Sequence, residues 1–234
     1  MAQKIITYQQ KNFEISYCLV NHQSKKTMLF LHGWGSNKEL MQLAFKNHFK
    51  DFNHIYVDLP GFGKSFNDRA LITQDYANII EIFLKEISVS PNIVVGHSFG
   101  GKIAILLDYE IILLSTAGIL EPKSIKVKFK IFLAKLLKIL RLKGSFLRSE
   151  DANHLNEGMY QTFKNVVNED FSPIFSHFNN QATIFWGIDD QATSLESGKK
   201  ISKLIKKCRF FTLEGDHYFF LKQGSEIEKL YYES

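Results

Sequence analysis

The sequence predicts an α/β fold: a mostly parallel, twisted sheet flanked by helices and interrupted by one long insertion. Three observations carry that prediction. Short, unbroken apolar runs recur along the chain and end in glycine turns, the pattern of strands buried on both faces. Amphipathic stretches of helical length lie between them, as crossover connections require. One interval of some 65 residues, between about 116 and 180, does not fit the repeat.

The strand-like runs fall near 3–8, 12–19, 27–31, 53–58, 92–96, 110–115, 181–186 and 208–213. The first two alternate in polarity and read as an antiparallel pair, and the later ones read as parallel. Residues 70–88 place Tyr76, Ile79, Ile80, Phe83, Leu84 and Ile87 on one face of a crossover helix. Further helices are expected after Ser98 through Leu107, over 197–206 and over 225–232. The Asp58-Leu-Pro-Gly-Phe-Gly segment reads as turn chemistry close to the mouth of a site.

At 234 residues, 45% hydrophobic and 23% charged, the chain is expected to form one domain over 1–234 without a staple. The insertion is expected at about 117–178 within it. No proline- or serine-rich linker and no internal repeat divides the sequence. Its N-terminal segment lacks the apolar run of a secretory signal, and no stretch has the apolar length of a membrane span. A cytoplasmic location is therefore expected. Cys18 and Cys208 read as two unpaired, buried thiols.

The chemistry gathers at strand ends. Ile93-Val-Val runs directly into Gly96-His-Ser-Phe-Gly100, a Gly-x-Ser-x-Gly pattern that sets Ser98 on a sharp strand-to-helix turn with its hydroxyl exposed. A serine hydroxyl is a weak nucleophile at neutral pH and needs a hydrogen-bonded histidine to take its proton. That histidine in turn needs a carboxylate to hold its tautomer. The run at 181–186 ends in Gly187-Ile-Asp-Asp190, and the run at 208–213 ends in Glu214-Gly-Asp-His217. Ser98, an aspartate, then His217 is the chain order this architecture calls for. Upstream, the run at 27–31 ends in His32-Gly-Trp-Gly35. Backbone N–H groups of Trp34 in that loop and of Phe99 after the nucleophile are candidates for the two oxyanion donors.

These phrases, with Asp58-Leu-Pro-Gly-Phe-Gly-Lys-Ser65 and Gly101 after the serine turn, resemble the α/β-hydrolase superfamily over residues 27–217. The resemblance implies that the acid follows the Trp-Gly pair as Trp-Gly-x-x-Asp, which selects Asp190 over its neighbour Asp189. It also implies that the insertion at 117–178 is a helical cap over the active site. His32-Gly-Trp-Gly and Gly96-His-Ser-Phe-Gly-Gly101 are similar to carboxylesterases that cleave a pimeloyl-carrier-protein methyl ester in biotin synthesis. Hydrolases of ring-fission diketones and thioesterases carry the same motifs, and a non-catalytic receptor on this fold is a further reading.

Within the insertion, Phe129, Phe132, Leu133, Leu136, Ile139 and Leu140 share one side of a helical projection. Lys128, Lys130, Lys135, Lys138 and Arg141 fall on the other. Residues 121–150 hold nine Lys or Arg against two Glu, a net +7, whereas the whole chain carries only +5. That basic face reads either as a solvated exterior or as a docking surface for acyl carrier protein; an anionic membrane is a third reading. If the resemblance holds, Phe132 and Leu136 join Trp34 in lining the acyl channel. No nucleic-acid-binding module is present, and the motifs imply no metal and no organic cofactor.

Overall fold

The computed structural model describes residues 2–120 and 156–233. Eight strands form one sheet: β1 (Ala2–Tyr8), β2 (Lys11–Val20), β3 (Thr27–Leu31), β4 (Asn53–Val57), β5 (Ile93–His97), β6 (Glu110–Leu114), β7 (Ala182–Gly187) and β8 (Cys208–Leu213). Their order across the sheet is β1-β2-β4-β3-β5-β6-β7-β8. β1 pairs antiparallel with β2, and β2 antiparallel with β4; every later pairing is parallel. Each strand lies within a residue or two of its sequence-based position.

Among the described residues the helices are α1 (Lys38–Phe45), α2 (Thr73–Glu86), α3 (Phe99–Ala104), α4 (Glu157–Asn168), α5 (Ser172–His177), α6 (Leu195–Leu204) and α7 (Gly224–Tyr232). A single 3-10 turn covers Phe219–Leu221. The expected helix over 70–88 is trimmed to α2, because Asp75 accepts a hydrogen bond from the Ile72 amide at 2.8 Å and fixes the start there. α1 has no counterpart in the sequence reading. Asn37 caps it by accepting from Leu40 N at 3.1 Å, and Met41, Ala44 and Phe45 form its buried stripe.

Strand alternation divides the core into two layers. On one face Leu29, Leu31, Ile55, Val57 and Val94 pack against Ile79, Ile80 and Phe83 of α2. On the other, Phe30, Tyr56, Val95 and Phe185 meet Phe45 of α1 and Ile227 of α7. Both faces are covered, so β5 and β7 are buried at every position, which explains their predominantly apolar sequences. The two cysteines are free, as expected, but half-buried rather than buried. Cys208 lies on the edge strand β8, and Cys18 on β2 beside the edge strand β1.

Candidate active site

The parallel strands all deliver their C-terminal ends to one edge of the sheet, where a cavity of about 390 Å³ opens. Trp34, Ser98, Phe99, Thr116, Phe163 and Thr193 are among its lining residues.

Ser98 joins β5 to α3 with φ 51° and ψ −113°, a left-handed backbone that non-glycine residues seldom adopt. Such a conformation costs about 1–3 kcal/mol and persists only where the surroundings enforce it. Here they do. Ser98 N donates to Leu114 O at 3.0 Å, while Ser98 O accepts from Gly101 N and Ala117 N at 3.1 Å each. Strand and helix approach so closely that a Cβ on Gly96 would stand 2.6 Å from the Gly100 carbonyl oxygen. One on Gly100 would drive into the Leu31 carbonyl. The glycine spacing of the motif is thus a packing requirement.

Asp190 and His217 are brought together. His217 Nδ1 lies 2.7 Å from Asp190 Oδ2, with both residues almost fully buried. The other oxygen, Oδ1, accepts from Ala192 N at 2.7 Å and Thr193 N at 3.0 Å. The Thr193 hydroxyl adds a donor to Oδ2 at 2.9 Å. Burial alone would raise the pKa of Asp190, but His217 and the surrounding donors outweigh it and hold the carboxyl below its ordinary value. A carboxylate in this position fixes the proton on Nδ1 and leaves Nε2 as an unprotonated acceptor. Asp189 is exposed, one residue further out on the turn, and its amide is tied to Gly215 O at 3.0 Å.

Trp34 is buried, its ring edge-on to Phe62 and Phe99 at 4.8 and 5.6 Å and tilted against Phe163 of α4 at 5.4 Å. His32 fixes the turn before it: Nδ1 donates to Gly33 O at 2.8 Å, and Nε2 accepts from Leu59 N at 3.0 Å. Burial lowers its pKa, in keeping with a neutral ring that both donates and accepts. Phe132 and Leu136 lie outside the described residues.

Three groups around the site escaped the sequence reading. Asp58 is fully buried and ion-paired to Lys38 Nζ at 2.6 Å, while also accepting from the Lys38 and Lys64 amides. For Lys38, burial pulls downward, but hydrogen bonds to Asp58 and Glu39 leave the ammonium raised above its ordinary pKa. Lys102, on α3 in the cavity wall, donates to Val166 O and Glu169 Oε2, both at 2.7 Å. Burial lowers its pKa against the opposing pull of Glu169. Thr193, the third, follows Asp190 in a polar stretch that looks like any loop. A lysine inside an apolar helix face was the one available signal, and it marks Lys102 only. Among the described residues no three His, Cys, Asp or Glu side chains gather as a metal-ligand set.

Comparison with known proteins agrees with this architecture. Residues 26–107 match a family model described as alpha/beta hydrolase fold. A pimeloyl-[acyl-carrier protein] methyl ester esterase of Pseudoalteromonas atlantica is 28% identical over 155 residues, 66% of this chain and 52% of its own. A 2-succinyl-6-hydroxy-2,4-cyclohexadiene-1-carboxylate synthase of Citrobacter koseri is 32% identical over 80 residues, covering 34% of this chain and 31% of the other. The chain therefore spans between about a third and a half of the length of these relatives. An esterase from Exiguobacterium antarcticum superimposes with a TM-score of 0.78 at 17% identity, covering 95% of each chain; at that identity the likeness is one of fold. The chain has the α/β-hydrolase fold, and the resemblance read from its motifs holds.

Proposed function

We propose that this protein is a serine hydrolase that cleaves carboxylic esters through an acyl-enzyme. The observation that carries the reading is the Asp190–His217 contact at 2.7 Å, together with a strained Ser98 that lines the cavity. His217 Nε2 takes the proton of the Ser98 hydroxyl as its oxygen bonds to the ester carbonyl carbon. The Trp34 and Phe99 N–H groups hold the resulting oxyanion, and Asp190 stabilises the imidazolium. Collapse expels the alcohol, which leaves with the proton from His217. Water, deprotonated by the same histidine, then releases the acid.

The proposed substrate is an acyl ester, with a carrier-protein-linked methyl ester favoured by the Pseudoalteromonas relative's name. Apolar walls from Phe99, Phe163, Val166 and Val167 suit an acyl chain. In this reading 117–178 is a cap inserted in a single domain, Phe132 and Leu136 extend the channel, and the +7 stretch over 121–150 meets acidic acyl carrier protein in the cytoplasm. Among the described residues no helix is long and apolar enough to cross a membrane.

Turnover of p-nitrophenyl butyrate and of a carrier-linked methyl ester tests both levels. Ser98→Ala is expected to lower both rates at least roughly 10³-fold. Wild-type protein that hydrolyses neither ester, and whose Ser98 resists a fluorophosphonate, would overturn the catalytic reading. Reversal of Lys135 and Lys138 to Glu is expected to slow only the carrier-linked reaction; equal loss on both esters would remove the carrier-docking proposal.

A further inference from the structure

His97 stands between Gly96 and Ser98 but takes no part in the chemistry proposed above. Its ring is fully buried among aromatic neighbours, 4.6 Å from the ring of His217, 5.1 Å from Tyr218 and 4.7 Å from Phe220. Nε2 lies 3.0 Å from the backbone carbonyl oxygen of His217. A carbonyl only accepts, so Nε2 must carry the proton. Burial, reinforced by His217, pushes the pKa of His97 well below the ordinary histidine value, so the ring is neutral and Nδ1 is a bare acceptor.

That acceptor is buried without a hydrogen-bond partner among the described residues. It faces the turn after β3: a Cβ built on Gly33 would stand 2.9 Å from His97 Nδ1 and 3.1 Å from Ser98 Cβ. A phenylalanine would occupy the same apolar surroundings without leaving a buried nitrogen unsatisfied, so packing alone does not account for an imidazole here. The Nε2–H bond to His217 is what the imidazole adds.

We propose that His97 is a positioning residue: its Nε2–H holds the backbone of His217 while the opposite edge of the same ring abuts Gly33, so one side chain sets the distance from the base-bearing turn to the Trp34 loop. The proposal rests on the catalytic reading of Ser98 and His217.

Two variants separate positioning from packing. His97→Gln keeps an N–H donor at a similar reach, and His97→Phe keeps the ring volume without a donor. With p-nitrophenyl butyrate, His97→Phe is expected to lower kcat about tenfold or more with KM within roughly twofold. His97→Gln is expected to stay within about threefold of wild type. The downfield proton resonance of the His217–Asp190 hydrogen bond, recorded in a Ser98→Ala background, is expected to persist with His97→Gln and to broaden or vanish with His97→Phe. Should His97→Phe fail to fold, His97→Asn, too short to reach the carbonyl, carries the same expectation. Wild-type kcat in the donor-free variant with the resonance intact would overturn the proposal. So would equal losses in both variants that track their melting temperatures. A catalytically silent wild type would remove the esterase reading, and the resonance would still decide the role of His97.

Discussion

At the scale of single residues, the candidate site depends on a few groups whose protonation is set by burial and partners. Asp190 is the clearest. It accepts two backbone N–H bonds, a hydroxyl and an imidazole, and these outweigh the upward pull of burial on its pKa. Asp190→Asn retains the shape but offers His217 Nδ1 an amide that can place its NH₂ toward the ring, favouring the wrong tautomer. Under the proposed mechanism this substitution is expected to lower kcat for p-nitrophenyl butyrate about 10³- to 10⁴-fold, with KM little changed. Steady-state kinetics checks it, and a loss under tenfold would mean that Asp190 does not orient the base. The preference for Asp190 over Asp189 came from a family pattern, and the physical reason is visible only in three dimensions. Both follow the same strand, but the turn closed by Asp190 N and Gly187 O at 3.3 Å directs one side chain inward and leaves its neighbour in solvent.

At the scale of elements, the loops that form the site are anchored by ion pairs, one of them at Asp58, whose segment reads in sequence as turn chemistry. Asp58 follows β4 and ties the start of α1, through Lys38, to the turn at Lys64. Both charges are buried, and removing Asp58 leaves Lys38 with only the half-buried Glu39 at 2.9 Å and strips the Lys38 and Lys64 amides of their acceptor. Asp58→Ala is expected to cost about 3–5 kcal/mol of unfolding free energy, read as a shift in urea midpoint. A shift under about 1 kcal/mol would show that water reaches Lys38 readily. Glu169 plays a comparable part between helices: it accepts from Thr73 N at 3.0 Å, from the Thr73 hydroxyl, and from Lys102 Nζ. Such pairs join residues 20 to 96 positions apart, and no periodicity in the chain announces them.

For the molecule as a whole, several histidines are folded into sites that exclude the imidazolium. Burial brings His54 down to about 4, and it drives His32 and His97 downward as well. Each binds a proton more readily in the unfolded chain, near pH 6.5, than in the native one. Their stabilising contribution is therefore fully present above about pH 6.5 and is lost as the pH falls toward the folded values. Unfolding free energy, measured by urea denaturation at several pH values, is expected to decline from pH 7 to 4. His54→Gln is expected to flatten that decline by up to one proton, about 1.4 kcal/mol per pH unit. A slope identical to wild type would mean that the His54 site admits the charged form.

The sequence by itself determined the sheet and the order of chemistry along it. Strands buried on both faces must be apolar throughout, and a serine on a tight turn needs glycine where backbones nearly touch, so both requirements are written locally. The eight strands were accordingly legible, as were the turns bearing Ser98, Asp190 and His217. What only the tertiary structure decided was which side chains meet: Asp190 rather than Asp189 against His217, Thr193 on the carboxylate, Lys38 on Asp58, and His97 on the backbone of His217. Those contacts depend on the twist of the sheet and the paths of loops that close distant segments together. Helix α1 was missed for a related reason: eight residues give barely two turns of periodicity, and its stability comes from the Asn37 cap and the packing of Phe45 against Phe30.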